Sequence, residues 1–325
     1  MRKLAETLHT LLFDAIRISG VLFRLMIPVI VIVKILKELG AIEPLGRLLG
    51  PVMEGVGLPG ALGIVWASAL VTNLYGGILA YMTVAPHIPV PTVAQMTVLG
   101  AMALIAHTFP VELRVAQRSG VRILTMFAIR FGGAFLYGWI LNTVCRMGGW
   151  LQTPAHVLWS AAPVEQTLLE WAGREVANLA FIFGAIFSLL SLLRLLRFLR
   201  VTNLVERLLY PLLRPLGIGR AATDLTVIGM TLGIGYGGGL IIHEAESGRL
   251  TPRDIFCALA LMGLTHSLIE DSLLMLSLGG HLAGLLLGRF AFTLLFCFGL
   301  AKLVARLSDT TFERYCCRRM DNENG

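Results

Sequence analysis

Two short stretches of this chain place an imidazole, a hydroxyl and a carboxylate together. Residues 106–112 read Ala-His-Thr-Phe-Pro-Val-Glu, and residues 265–271 read Thr-His-Ser-Leu-Ile-Glu-Asp. His107, Thr108 and Glu112 in the first, with His266, Ser267, Glu270 and Asp271 in the second, have the chemistry to bind a polar solute, pass a proton or ligate a metal ion. One such set is explained equally well by hydrogen bonds that close a helix break. Two sets, about 160 residues apart in apolar surroundings, favour a binding role. Arg130 and Arg289 recur at the same spacing, each inside an apolar stretch. An arginine there needs an acceptor, and Glu112 and Asp271 are the candidates. We read these as two structural ion pairs that tie each interrupted segment to the following span. If a metal is bound, its ligands come from His107, Glu112, His266 and Asp271, and the two arginines oppose it unless they point away.

The duplication extends beyond these groups. Tyr75-Gly76-Gly77 returns as Tyr236-Gly237-Gly238, and Leu48-Leu49-Gly50-Pro51 as Leu208-Leu209-Tyr210-Pro211. Glycines inside a span weaken the helix and let other backbone approach. Unwound backbone at Asn73–Gly77 and at 233–239 offers carbonyls and N–H groups to a solute, which adds Asn73, Tyr75 and Tyr236 to the candidate site. Close helix packing through small residues explains the same glycines. His243-Glu244-Ala245-Glu246 fails the zinc-protease pattern because residue 247 is Ser. With no nucleophile elbow and no nucleotide-binding loop, the chain is not expected to be an enzyme.

Composition says where these groups sit. Hydrophobic residues make up 56% of the 325 and charged residues 14%, with a mean hydropathy of +0.77. That is the composition of a membrane-embedded chain. The formal charge of +7 does not point to nucleic acid, because the basic residues lie between apolar spans and set orientation. The five cysteines form no CxxC pair, so no metal or disulfide framework is read. Cys316-Cys317 reads either as a lipidation site or as two ordinary tail cysteines.

These observations define an all-α polytopic membrane protein of two inverted repeats. Residues 1–147 form the first repeat, 148–176 an exposed linker, 177–307 the second repeat and 308–325 a charged, disordered tail. Each repeat is read as three transmembrane helices, an amphipathic segment and a re-entrant helical hairpin. The Tyr-Gly-Gly segment is taken as a crossing and the His-Thr/Ser segment as the hairpin. With the N-terminus inside, Arg114, Arg118, Arg122, the run from Arg194 to Arg220 and the C-terminal arginines all fall inside. Arg249 and Arg253 fall outside, and the inside set leads roughly two to one. The location expected is a plasma membrane, the inner membrane of a bacterium, with both termini cytoplasmic. Partners would be the lipid bilayer, the solute or metal ion, and a second copy of the chain in a homo-oligomer.

On the broken Tyr-Gly-Gly span, the His-Thr/Ser…Glu/Asp segment and the Arg-Phe span, the chain resembles the nucleoside-recognition gate-domain proteins. These include spore-maturation proteins, and the gate domain also occurs in concentrative nucleoside transporters and the membrane part of ferrous-iron permeases. The resemblance covers roughly residues 20–145 and 180–305. It implies a secondary transporter for a nucleoside-like solute, coupled to a proton or sodium, with Thr108, Glu112, Ser267 and Asp271 as contacts. A histidine beside each hydroxyl departs from that pattern. A divalent transition-metal permease and a non-transporting membrane scaffold are the competing expectations.

Overall fold

The computed structural model describes residues 2–159, 167–199 and 250–318, with only short pieces between 207 and 245. Among the described residues the chain is helical, and its only β pairing is two isolated bridges. In the first half lie α1 (Arg2–Glu38), α2 (Ile42–Glu54), α3 (Leu62–Val71), α4 (Leu74–Val84), α5 (Val93–Ile105), α6 (Phe109–Arg118) and α7 (Ile123–Gly148). The second half contributes α8 (Leu168–Phe198), α9 (Pro252–Thr265), α10 (Glu270–Ser277), α11 (Arg289–Arg306) and α12 (Asp309–Tyr315).

Polar residues mark where the helices begin. Thr92 and Gln95 form a capping box at the start of α5, at 3.2 and 3.0 Å. The Thr251 hydroxyl accepts from the Asp254 N–H at 3.1 Å and starts α9. Pro110 lies in the first turn of α6, where its missing N–H costs nothing. Four described segments are long and apolar enough to cross a membrane: 93–118, 123–148, 252–277 and 283–306. The first and third contain the breaks, and 78% and 67% of their apolar stretches are buried. The unbroken pair buries only 39% and 22%, so the broken segments are the centre and the unbroken ones the flanks. α7 and α11 turn apolar side chains such as Leu124, Trp139 and Leu295 outward, as a lipid-facing surface requires.

Hydrogen bonds fix the direction of each segment. Val93 and Ala94 donate to the carbonyls of Thr153 and Leu151, so α5 begins beside the end of α7. Arg130, near the start of α7, donates Nε to the Ile105 carbonyl at the end of α5. α6 ends just before α7 begins, so α5 and α6 together run the length of α7. The second pair runs the opposite way. α9 starts where the Cys317 thiol donates to the Pro252 carbonyl, and α10 ends where Leu158 donates to the Ser277 carbonyl. The expectation of a hairpin at residues 107–112 and at 266–271 is therefore corrected. Both segments are broken helices that continue through. Thr108 and Ser267 take left-handed backbone, at φ 51° and 46°, and the helix resumes at once. Glu112 donates to the Thr108 carbonyl at 3.0 Å and Asp271 to the Ser267 carbonyl at 3.2 Å.

The reversal occurs instead in the first Tyr-Gly-Gly segment, a crossing by its sequence. α3 and α4 pack side by side. A Cβ at Gly77 would meet the Ala69 Cβ at 3.0 Å and the Val65 carbonyl at 3.4 Å. Both ends of this hairpin lie at the start of α5, where Gln95 donates Nε2 to the Gly57 carbonyl at 3.2 Å. Its tip reaches the first break, where Thr108 donates its N–H to the Ala69 carbonyl at 3.1 Å. In the second half Leu268 donates in the same way to Met230, at 3.1 Å. Tyr236 and residues 233–239 lie outside the described residues.

The described linker residues are mostly exposed, but hydrogen bonds hold them to both halves. Ala155 donates to the Pro91 carbonyl at 2.9 Å and Trp159 donates Nε1 to the Ser277 hydroxyl at 2.9 Å, tying both halves at one end. The tail is not disordered over its first part. Ser308 caps α12, Phe312 is buried edge-on against Phe256, and Arg318 donates to the Gly120 carbonyl at 2.7 Å. Arg253, placed outside from sequence, lies at this tail end and donates to the Leu307 carbonyl and to Asp309.

Candidate functional site

The two breaks meet. His107 and His266 face each other with their Nε2 atoms 3.2 Å apart, and both are buried. Each ring is aimed by its own helix. The last-turn carbonyls of a broken helix have no N–H four residues on, and one of them takes the ring nitrogen. His107 Nδ1 lies 2.8 Å from the Ala103 carbonyl, and His266 Nδ1 lies 3.0 Å from the Met262 carbonyl. A carbonyl only accepts, so each Nδ1 carries a hydrogen, and in the neutral ring each Nε2 presents its lone pair to the centre.

Carboxylates from the resumed helices complete the cluster. Glu112 Oε1 lies 3.3 Å from His266 Nε2 and 3.7 Å from His107 Nε2. Asp271 Oδ2 lies 3.9 Å from His107 Nε2. His107, His266 and Asp271 together present three ligand atoms within 4.8 Å of one another.

The arginines behave differently from each other. Arg130 pairs with Glu112 Oε2, as expected, and its Nε and Nη2 donate to the carbonyls of Ile105 and His107 at 3.0 and 3.3 Å. One side chain thus holds both sides of the first break. Gly263 makes room for it, since a Cβ there would sit 3.1 Å from Arg130 Cδ. Arg289 does not form the expected pair with Asp271. Its Nη2 donates to the Ser272 hydroxyl at 3.3 Å, and its Nε and Nη1 have no hydrogen-bond partner among the described residues. The π-helical turn Ala283–Gly288, whose Gly284 carbonyl accepts from the Tyr137 hydroxyl at 2.6 Å, directly precedes Arg289.

The remaining candidates lie around this centre. Thr108 and Ser267 form the two left-handed turns, a conformation that is uncommon outside glycine. Asn73 caps α4, with its Oδ1 accepting from the Gly76 N–H at 3.0 Å. Tyr75 is buried, its hydroxyl has no hydrogen-bond partner among the described residues, and it lies within electrostatic reach of Glu270 and Asp271. Sequence reasoning missed Ser272 and the carbonyls of Ala103 and Met262. The carbonyls had a signal, because each lies four residues before a histidine that ends a helix.

No family model matches the chain. An uncharacterized membrane protein of Bacillus subtilis (strain 168), YvoD, is 28% identical over 272 residues, covering 82% of this chain and 85% of that protein. No solved structure matches. With the four apolar spans, this likeness makes the chain an all-α membrane protein.

Proposed function

We propose that the chain is a permease for a small polar solute, built as two inverted repeats whose broken spans share one site at mid-depth. The observation that carries this reading is the meeting of His107 and His266, with Glu112 and Asp271 beside them, inside segments of membrane-spanning length. Ionisable side chains at that depth are costly unless they serve a polar pathway. The opposite directions of α5–α6 and α9–α10 are what an inverted repeat requires, and broken helices converging at the midplane are a recurrent way to hold a transported solute. The N-termini of α6 and α10 open onto the cluster and favour a solute with electron-rich groups there.

The resemblance to gate-domain proteins makes a nucleoside-like solute the first class to test, with Thr108, Glu112, Ser267 and Asp271 as contacts and Tyr75 at the rim. A plasma-membrane location with both termini cytoplasmic is supported by Arg114, Arg118, Arg253 and Arg306 at one end. Ligand spacing between the imidazoles favours a second reading, a permease for divalent metal.

Proteoliposome uptake of labelled nucleosides and nucleobases, with and without proton or sodium gradients, tests the first reading. Saturable uptake that Asp271→Asn abolishes is the expected result. Reconstituted, folded protein that takes up no member of the panel removes the nucleoside reading. Absence of metal uptake as well would leave a scaffold role.

A further inference from the structure

We infer that His107, His266 and Asp271, with Glu112 beside the two imidazoles, form a site for one divalent transition-metal ion of the zinc, cobalt or ferrous type. The inference rests on the mid-membrane site of the permease reading, but not on transport itself.

The argument starts from the histidine tautomers. Each Nδ1–H is held by a helix carbonyl, so in the neutral rings the two facing Nε2 atoms are both acceptors. Two lone pairs 3.2 Å apart repel unless something positive lies between them. A carboxylate oxygen, Glu112 Oε1, adds a third acceptor 3.3 Å from one nitrogen and 3.7 Å from the other. Asp271 Oδ2 adds a fourth, 3.9 Å from His107 Nε2. The two imidazole nitrogens and the carboxylate oxygens of Glu112 and Asp271 thus crowd one buried centre.

The distances fit one geometry. Around a tetrahedral ion with bonds of about 2.0–2.1 Å, neighbouring ligand atoms are about 3.3 Å apart. The His–His contact and the His266–Glu112 contact have that length, and the ligand atoms of His107, His266 and Asp271 lie within 4.8 Å of one another, so an ion would draw Asp271 inward. The surrounding groups are those of a metal site. Each ligating imidazole donates its other nitrogen to a carbonyl, which fixes ring and tautomer. Arg130 occupies Glu112 Oε2 and leaves Oε1 facing the centre. Arg289 donates to Ser272 and holds Asp271 only through its charge, without a direct contact, so the Asp271 oxygens stay turned to the imidazoles. Two imidazoles select a borderline transition metal over magnesium or calcium, which take oxygen ligands.

The test uses the full chain in detergent, stripped with a chelator and titrated with Co²⁺. One equivalent is expected to produce the intense visible bands of four-coordinate cobalt, and Zn²⁺ should displace it. His107→Gln, His266→Gln and Asp271→Asn should each weaken binding by about tenfold or more, since even outer-shell changes cost about 10–100-fold. Glu54→Gln, exposed at the end of α2, serves as a folded control. Wild-type protein that gives no such bands overturns the assignment, as does a His107→Gln/His266→Gln variant that binds as wild type. If that variant does not fold, the wild-type titration still decides. A strongly hydrogen-bonded imidazole N–H resonance without cobalt bands would mean a shared proton and would also overturn it. Cobalt binding without uptake of any solute or metal leaves the site standing and removes the permease reading. Solute uptake without cobalt binding does the reverse.

Discussion

Arg130 on α7 and Glu112 on α6 form an ion pair in which neither side chain is more than 8% exposed. The pair joins the unbroken span to the broken one at the level of the histidines. Removing one member of a buried pair leaves a charge without compensation, at a cost of about 3–5 kcal/mol. Arg130→Ala and Glu112→Ala are each expected to lower stability by that amount. The double variant should cost much less than the sum. Thermal or denaturant unfolding of the three purified proteins measures this, and simple additivity would refute the coupling.

The path of the chain can be read by labelling. Gly55 and His87 are exposed at the end where the α3–α4 hairpin begins and finishes, while Arg118 and Asp309 are exposed at the opposite end. Single cysteines at residues 55 and 87 should react with an impermeant maleimide from one side of the membrane. Those at 118 and 309 should react only from the other. Labelling of 87 and 118 from the same side would restore a hairpin at 92–119 and refute the crossing.

Glycines that look alike in sequence differ in what surrounds them. A Cβ at Gly60 would collide with the Gly46 carbonyl, a backbone atom that cannot rotate away. At Gly132, within α7, a Cβ would meet nothing within 4 Å. Gly60→Ala should therefore lower the melting temperature and loosen α2 from the hairpin. Gly132→Ala should be neutral or stabilise by up to about 1 kcal/mol, through helix propensity. Equal effects in a melting comparison would contradict this packing.

The paired cysteines near the C-terminus are enclosed. Cys316 and Cys317 are buried, and Val121 pairs with Cys317 in an isolated bridge. Burial, with Cys316 and Cys257 adding to it and Arg122 opposing, pushes the Cys317 thiol up to about 12. Burial also raises Cys316. At neutral pH neither thiol supplies much thiolate, the reactive form. Both should resist maleimide in the folded protein and react after denaturation. Their rate in the folded state should rise as pH increases toward the raised values. Rapid native labelling at neutral pH, or a lipid on either residue, would show that the tail is not docked as described.

Much of the site was legible in the residues themselves. An apolar chain makes polar positions conspicuous, and duplication doubled the signal, so His107, Glu112, His266, Asp271 and Arg130 stand out without coordinates. Their approach was expected from an inverted arrangement of the halves, and the Arg130–Glu112 pair from the need of a buried guanidinium for an acceptor. The direction of the chain through each break was not legible. Asn73-Leu74-Tyr75-Gly76-Gly77 and His107-Thr108-Phe109-Pro110 both interrupt a helix, and nothing local says which one reverses. The outcome depends on what each emerging helix packs against. The small side of α3, at Val65 and Ala69, accepts Gly77 and folds α4 back. α6 has α7 to follow and goes on. Arg289 shows the same limit. Its charge predicted a carboxylate partner, but the tertiary structure set Ser272 in its reach instead. Composition and repetition determined that this is a membrane protein with a doubled polar centre. Packing between distant segments decided which segment turns, which end each arginine occupies, and how the two imidazoles face each other.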